Sequence, residues 1–112
     1  MPVVSVTNES NYKELAEKAG VFGEVRYLTG RDFVNIRHSE QNEEVMWHLA
    51  QKLKSFDPAN DFLIIGQNPY MAAAVFAILG LMNVREFCIL RWDNRDRSYI
   101  PLWLNFRREV TT

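Results

Sequence analysis

Apolar and polar positions follow two periods along this chain, and the points where the period changes mark its elements. Val3 to Thr7 is a short, largely β-branched run closed by the turn-prone Asn8-Glu9-Ser10, which predicts a strand. Ser10 then serves as cap for a helix whose apolar positions Tyr12, Leu15, Ala16 and Ala19 keep helical spacing, and Gly20 supplies the stop. From Glu24 to Thr29, Val25, Tyr27 and Thr29 alternate with Glu24, Arg26 and Leu28, the two-residue period of a second strand. Gly30 to His38 admits two readings, a strand extension carried by Phe33, Val34 and Ile36 or an ordered loop over the core.

The next helix has the most regular pattern. Ser39 stands at its cap position, and Glu40, Glu43 and Glu44 crowd a first turn where the helix dipole favours negative charge. Val45, Leu49, Leu53 and Phe56 form one buried stripe, Lys52 and Lys54 fall in the last turn, and Asp57-Pro58 ends the helix. Phe62 to Ile65 is apolar without alternation, the pattern of a strand covered on both faces. A turn Gly66-Gln67-Asn68-Pro69 follows, with Asn68 as cap and Pro69 at the first helical position. The helix from Pro69 to Met82 is apolar nearly all round and is therefore expected to be enclosed, with Asn83 ending it. Such a helix is about 21 Å long, too short for a hydrocarbon core about 30 Å thick, so no membrane partner is expected.

Two strands remain, Glu86 to Trp92 and Ser98 to Phe106, joined by the polar turn Asp93 to Arg97. Pro101 cannot donate to a ladder, which places the last strand at a sheet edge, and the tail from Arg107 onward is expected to fray. The pattern as a whole predicts a single compact α/β domain over residues 1–112. Its sheet is mixed but mostly parallel, with a C-terminal antiparallel hairpin and about three helices.

Composition narrows the function classes. The 112 residues are 47% apolar and carry 13 basic against 14 acidic side chains. A globular domain of near-zero charge has no field for tracking phosphates, so nucleic acid is not an expected partner. A single cysteine, Cys88, rules out an intrachain disulfide and fits a reducing, cytoplasmic setting, and the N-terminus lacks the n- and h-regions of a signal peptide. No cofactor or metal motif is present: His48 lies four residues after Glu44 without a HExxH pattern, which predicts a surface ion pair. Asp93, Asn94 and Asp96 lack calcium-loop spacing and read as a solvated turn, and Cys88 reads as an inert buried thiol. No acid–base–nucleophile set assembles around His38, Ser39 or Asp61, so a non-enzymatic role is preferred.

Two candidate sites remain. All six basic residues after Lys54 are arginines, and Arg91, Arg95 and Arg97 fall near Trp92, Tyr99 and Trp103. Arginine with aromatics suits a protein hot spot, and residues 85–112 are only +2 overall, so contact with a protein, a second copy included, is expected through this hairpin. The alternative is a nucleotide or small anionic ligand held at Gly66, Gln67 and Asn68, where a strand feeds a helix N-terminus. That turn lacks both GxGxxG and GxxxxGK[ST].

The segment Asp61-Phe62-Leu63-Ile64-Ile65-Gly66-Gln67-Asn68-Pro69, the alanine-rich helix after it, and the hairpin Arg91-Trp92-Asp93…Tyr99-Ile100-Pro101 carry a resemblance. They resemble a group of small uncharacterised α/β proteins encoded by phages and other microbial mobile elements. Those proteins share a D-Y-L-x-L-x-G-x-P strand-turn, an alanine-rich helix and a (K/R)-W-D…Y-x-P hairpin. The resemblance covers roughly the C-terminal half and implies a viral origin and a fold, with no activity attached.

Overall fold

The computed structural model describes residues 2–8, 13–66 and 68–106. The proposed cap Ser10, the apolar Tyr12, Gln67 and the tail beyond Phe106 lie outside the described residues. Eight elements follow one another: β1 (Val3–Asn8), α1 (Lys13–Ala19), β2 (Glu24–Thr29), α2 (Glu40–Leu53), β3 (Phe62–Ile64), α3 (Pro69–Leu81), β4 (Glu86–Asp93) and β5 (Ser98–Asn105). They build one sheet in the order β2-β1-β3-β4-β5. The first four strands are mutually parallel and β5 is antiparallel to β4.

Alternation along the strands divides the core in two. Val4, Val6, Ile64 and Leu90 point to one face, where Ala19 and Leu15 of α1 cover them. Leu63 and Leu28 belong to the other face, under Val45, Leu49 and Leu53 of α2 and Met71, Val75, Ile78 and Leu79 of α3. The stripe read from α2 is therefore its buried side, and Phe56 completes it. Ser39 takes the cap position with extended backbone, but its side chain makes no capping bond. Asn68 does cap α3, its side-chain Oδ1 accepting from the Tyr70 and Met71 N–H groups. Residues 30–38 are the loop reading rather than the strand. Phe33 packs on the larger core, and the Asn42 side chain bonds both the N–H and the C=O of Val34, at 2.8 and 3.0 Å.

Two expectations fail. Glu44 pairs with Arg31 at 3.0 Å and not with His48, whose ring instead meets Trp47 edge-on at 5.1 Å. The guanidinium, with its planar fork of donors, is the stronger competitor for the carboxylate. Helix α3 is not enclosed: Tyr70, Ala73, Phe76, Ala77, Gly80 and Leu81 are exposed. Among the described residues no further layer covers that side, since α1 lies on the opposite face of the sheet.

Pro101 sits as expected on the edge strand, and the hydrogen-bond phase adds a detail. Phe106 donates to the Arg85 carbonyl at 2.8 Å, so in the β4–β5 register the even-numbered residues of β5 face β4 with their N–H groups. Pro101, opposite Leu90, turns its nitrogen to the open side, and the missing donor falls on the free edge of the sheet. Among the described residues, no helix is long and apolar enough to cross a membrane.

Candidate functional site

β1 leads through α1 to β2 on one side of itself, and β2 leads through α2 to β3 on the other. α1 and α3, the helices that follow β1 and β3, leave to opposite faces of the sheet, so the segments after these two neighbouring strands diverge. A crevice must open where they part, beyond the carboxyl ends of the strands, which is where doubly wound sheets place ligands. A cleft of about 1010 Å³ lies there, at the upper end of the ~300–1,000 Å³ usual for small-molecule sites.

Its floor is apolar, made by Val6, Ile64 and Leu90. One wall is Arg31, Asp32 and Asn68; the other is Trp92, Arg97 and Tyr99, with Arg91 at the end of β4. The two candidate sites of the sequence, the Gly66–Asn68 turn and the arginine–aromatic hairpin, are thus opposite walls of one cavity. Arg95 and Trp103 do not line it. Arg95 sits exposed on the turn, where its N–H donates to Asp93 at 3.2 Å, and Trp103 stands 53% exposed on β5.

The turn wall is held by its own hydrogen bonds. Gly66 N–H donates to the buried Thr7 hydroxyl at 2.9 Å, tying β3 to β1 at the floor of the crevice. A Cβ on residue 66 would stand 3.1 Å from that hydroxyl, so glycine keeps the two strand ends close. Asn68 uses both ends of its amide, capping α3 with the oxygen while its nitrogen donates to Asp32. Pro69 has no N–H, and among the described residues of the turn and first helical positions those of Gly66, Tyr70 and Met71 are already bonded inside the protein.

The hairpin wall is a folded-back cluster. Trp92 meets Tyr99 edge-on with centroids 5.1 Å apart, and the Arg97 guanidinium lies 5.8 Å over the indole. Arg97 also forks onto Glu14 of α1, 83 residues away, with its Nε at 3.0 Å, and Trp92 Nε1–H donates to Asn94 at 2.9 Å. Arg97 adopts φ 47°, the left-handed region, which swings the chain out of the turn toward α1. Glu14, Asp32 and Asn8 line the cleft without having been singled out from the sequence. For Glu14 the only signal is a carboxylate in a first helical turn, which helix electrostatics already explain.

Burial, with smaller contributions from nearby Tyr27 and Glu14, raises the Tyr99 phenol above its ordinary 10.0. The protonated form is thus favoured by folding. The corresponding stability is complete below pH 10 and is lost as pH climbs through the raised value. Absorbance titration at the tyrosinate band should show a late-ionising component that disappears in Tyr99→Phe. An unchanged curve in that variant would contradict the assignment. Burial likewise raises the Cys88 thiol, against a smaller opposing pull from the Leu102 backbone, which fits an unreactive side chain.

Residues 5–106 match the phage Pam3 gp32-like protein family, nearly the whole chain. The chain belongs to that family. Membership in the Pam3 gp32-like family bears out the phage resemblance seen in the C-terminal half and extends it through β1, α1 and β2. No curated protein and no solved structure matches the chain. For this Pam3 gp32-like protein, function has to be argued from the cleft and the exposed faces alone.

Proposed function

We propose that this phage protein acts through protein–protein contact, using the outer side of α3 together with β5, and that the partner is a second copy of the chain. The observation that carries the reading is an exposed surface free of charge. Residues 69–84 and 98–106 contain no Asp, Glu, Lys or Arg. Leu81 is 88% exposed and Leu102 44%, with Phe76, Ile100 and Leu104 also open to solvent. Phe76 lies 5.7 Å from Phe87, whose ladder partner is Leu104, so the helix side continues onto the strand. Monomeric proteins rarely leave contiguous apolar surface of this kind uncovered.

The lack of charge selects the occupant. A face with no ion to pair is complementary to another neutral apolar face, and a second copy carries one by construction, as isologous dimers require. A helix about 20 Å long beside a strand about 27 Å long can supply the ~800 Å² per partner of a stable interface. Gly80 adds support, because a Cβ there would meet nothing within 4 Å. Packing inside one chain therefore does not require glycine in this last turn of α3, and its bare backbone leaves room for another chain to approach.

Sedimentation or light scattering should give a two-chain mass at micromolar concentration. Leu102→Asp should raise the dissociation constant at least ~100-fold, leaving the far-ultraviolet circular dichroism unchanged. A monomeric wild type, or dimers indifferent to both Leu102→Asp and Phe76→Asp, would overturn the proposal.

A further inference from the structure

The cleft carries an inference beyond self-association. We propose that it binds a nucleoside monophosphate, the base against Trp92 and Tyr99 and the phosphate toward Arg91. Of the three arginines that line the cleft, Arg31 is paired with Glu44 and Arg97 with Glu14. Arg91 has no ion-pair or hydrogen-bond partner among the described residues and stands exposed at the carboxyl end of β4. Its neighbour Trp92 points to the opposite face of the sheet, yet both line the same cavity, so the cavity wraps over the strand end. An occupant in contact with both has to carry a flat apolar part and an anionic part at its two ends. The apolar floor of Val6, Ile64 and Leu90 suits a ring or sugar face between them, and Asn8 and Asn94 bring amide groups to the rim.

Charge sets the number of phosphates. Asp32 and Glu14 border the cavity, so each phosphate beyond the first would add repulsion, with no second unpaired arginine among the described lining residues to offset it. A polynucleotide is disfavoured for the same reason: a near-neutral chain has no basic track along which a backbone could run. The phosphate contact falls to Arg91 and not to the α3 N-terminus, whose donors are already satisfied.

The test uses the full chain with AMP, GMP, CMP and UMP as probes, with adenosine and inorganic phosphate as separate arms. At least one monophosphate should raise the melting temperature by a few degrees at millimolar concentration. It should also change the emission of a variant in which Trp92 is the sole tryptophan, made by Trp47→Phe and Trp103→Phe. Adenosine alone and phosphate alone should each bind at least ~10-fold more weakly. Arg91→Ala should lose about 10-fold or more in affinity, with the ligand-free melting temperature kept, since the side chain is exposed. No shift with any of the four monophosphates, an equal shift with phosphate alone, or full affinity in Arg91→Ala would each overturn the proposal. The same arms run on Phe76→Asp, a residue outside the cleft, separate loss of self-association from loss of ligand binding.

Discussion

Asp61→Ala is expected to lower the unfolding free energy by about 2–4 kcal/mol, as large an effect as deleting a core leucine. Asp61 is 7% exposed, and its two oxygens accept separate backbone donors: Oδ1 from Val3 N–H at 3.0 Å and Oδ2 from Asp57 N–H at 2.8 Å. The first bond joins the start of β1 to the start of β3 across 58 residues, and the second closes the turn that ends α2. Hydrogen bonds to a charged acceptor contribute about 1.5–3 kcal/mol each, and removing the carboxylate leaves both donors without their partner. The estimate stays below the sum because Asp57 is exposed and water can reach its N–H in the variant. Asp61→Asn keeps one acceptor oxygen and should recover roughly half the loss. Urea unfolding followed by circular dichroism measures both. A loss under about 1 kcal/mol in Asp61→Ala would mean that these bonds are replaced by water at little cost.

The second large effect is expected at Leu63. It is fully buried in the middle of the shortest strand, where β1 and β4 flank it and the α2–α3 layer covers it. Its neighbours are held by a ladder on each side, so the site has little freedom to collapse. Leu63→Ala should therefore fall toward the upper part of the Leu→Ala range, about 3–5 kcal/mol. Against a total of about 5–15 kcal/mol for a domain, that loss leaves the variant marginal near physiological temperature. The urea midpoint should drop with the slope unchanged. Leu81→Ala on the exposed end of α3 is the internal contrast, and in the isolated chain it should cost less than about 0.5 kcal/mol.

These two residues show where sequence reading succeeds and where it stops. Leu63 is legible because four apolar residues in a row before a Gly…Pro turn describe a strand covered on both faces, whatever lies beside it. Asp61 is legible only as the residue in front of that strand; its partner at Val3 is supplied by β1–β3 pairing, which local periodicity does not encode. The same limit applies to the cleft. Gly66 and Asn68 on one side, and Trp92, Arg97 and Tyr99 on the other, are separately visible as a βα turn and an arginine–aromatic hairpin. That they face each other follows from the strand order. The helix over Pro69–Leu81 fails for another reason. Its apolar character states that it needs cover on all sides, and the described residues supply that cover on one side only.

Pro101 has a consequence for what the protein can grow into. The sheet has two unlike edges, β2 and β5, and edge-to-edge pairing of one with the other would be head-to-tail: each added copy would present a fresh edge, and the assembly would lengthen without limit. A strand with a missing donor at its outer centre is a poor template for the next strand. Two copies meeting face to face, by contrast, use up the surface that brought them together and stop. If copies do meet face to face, the proline on the open side of β5 would keep such an assembly from lengthening edge to edge.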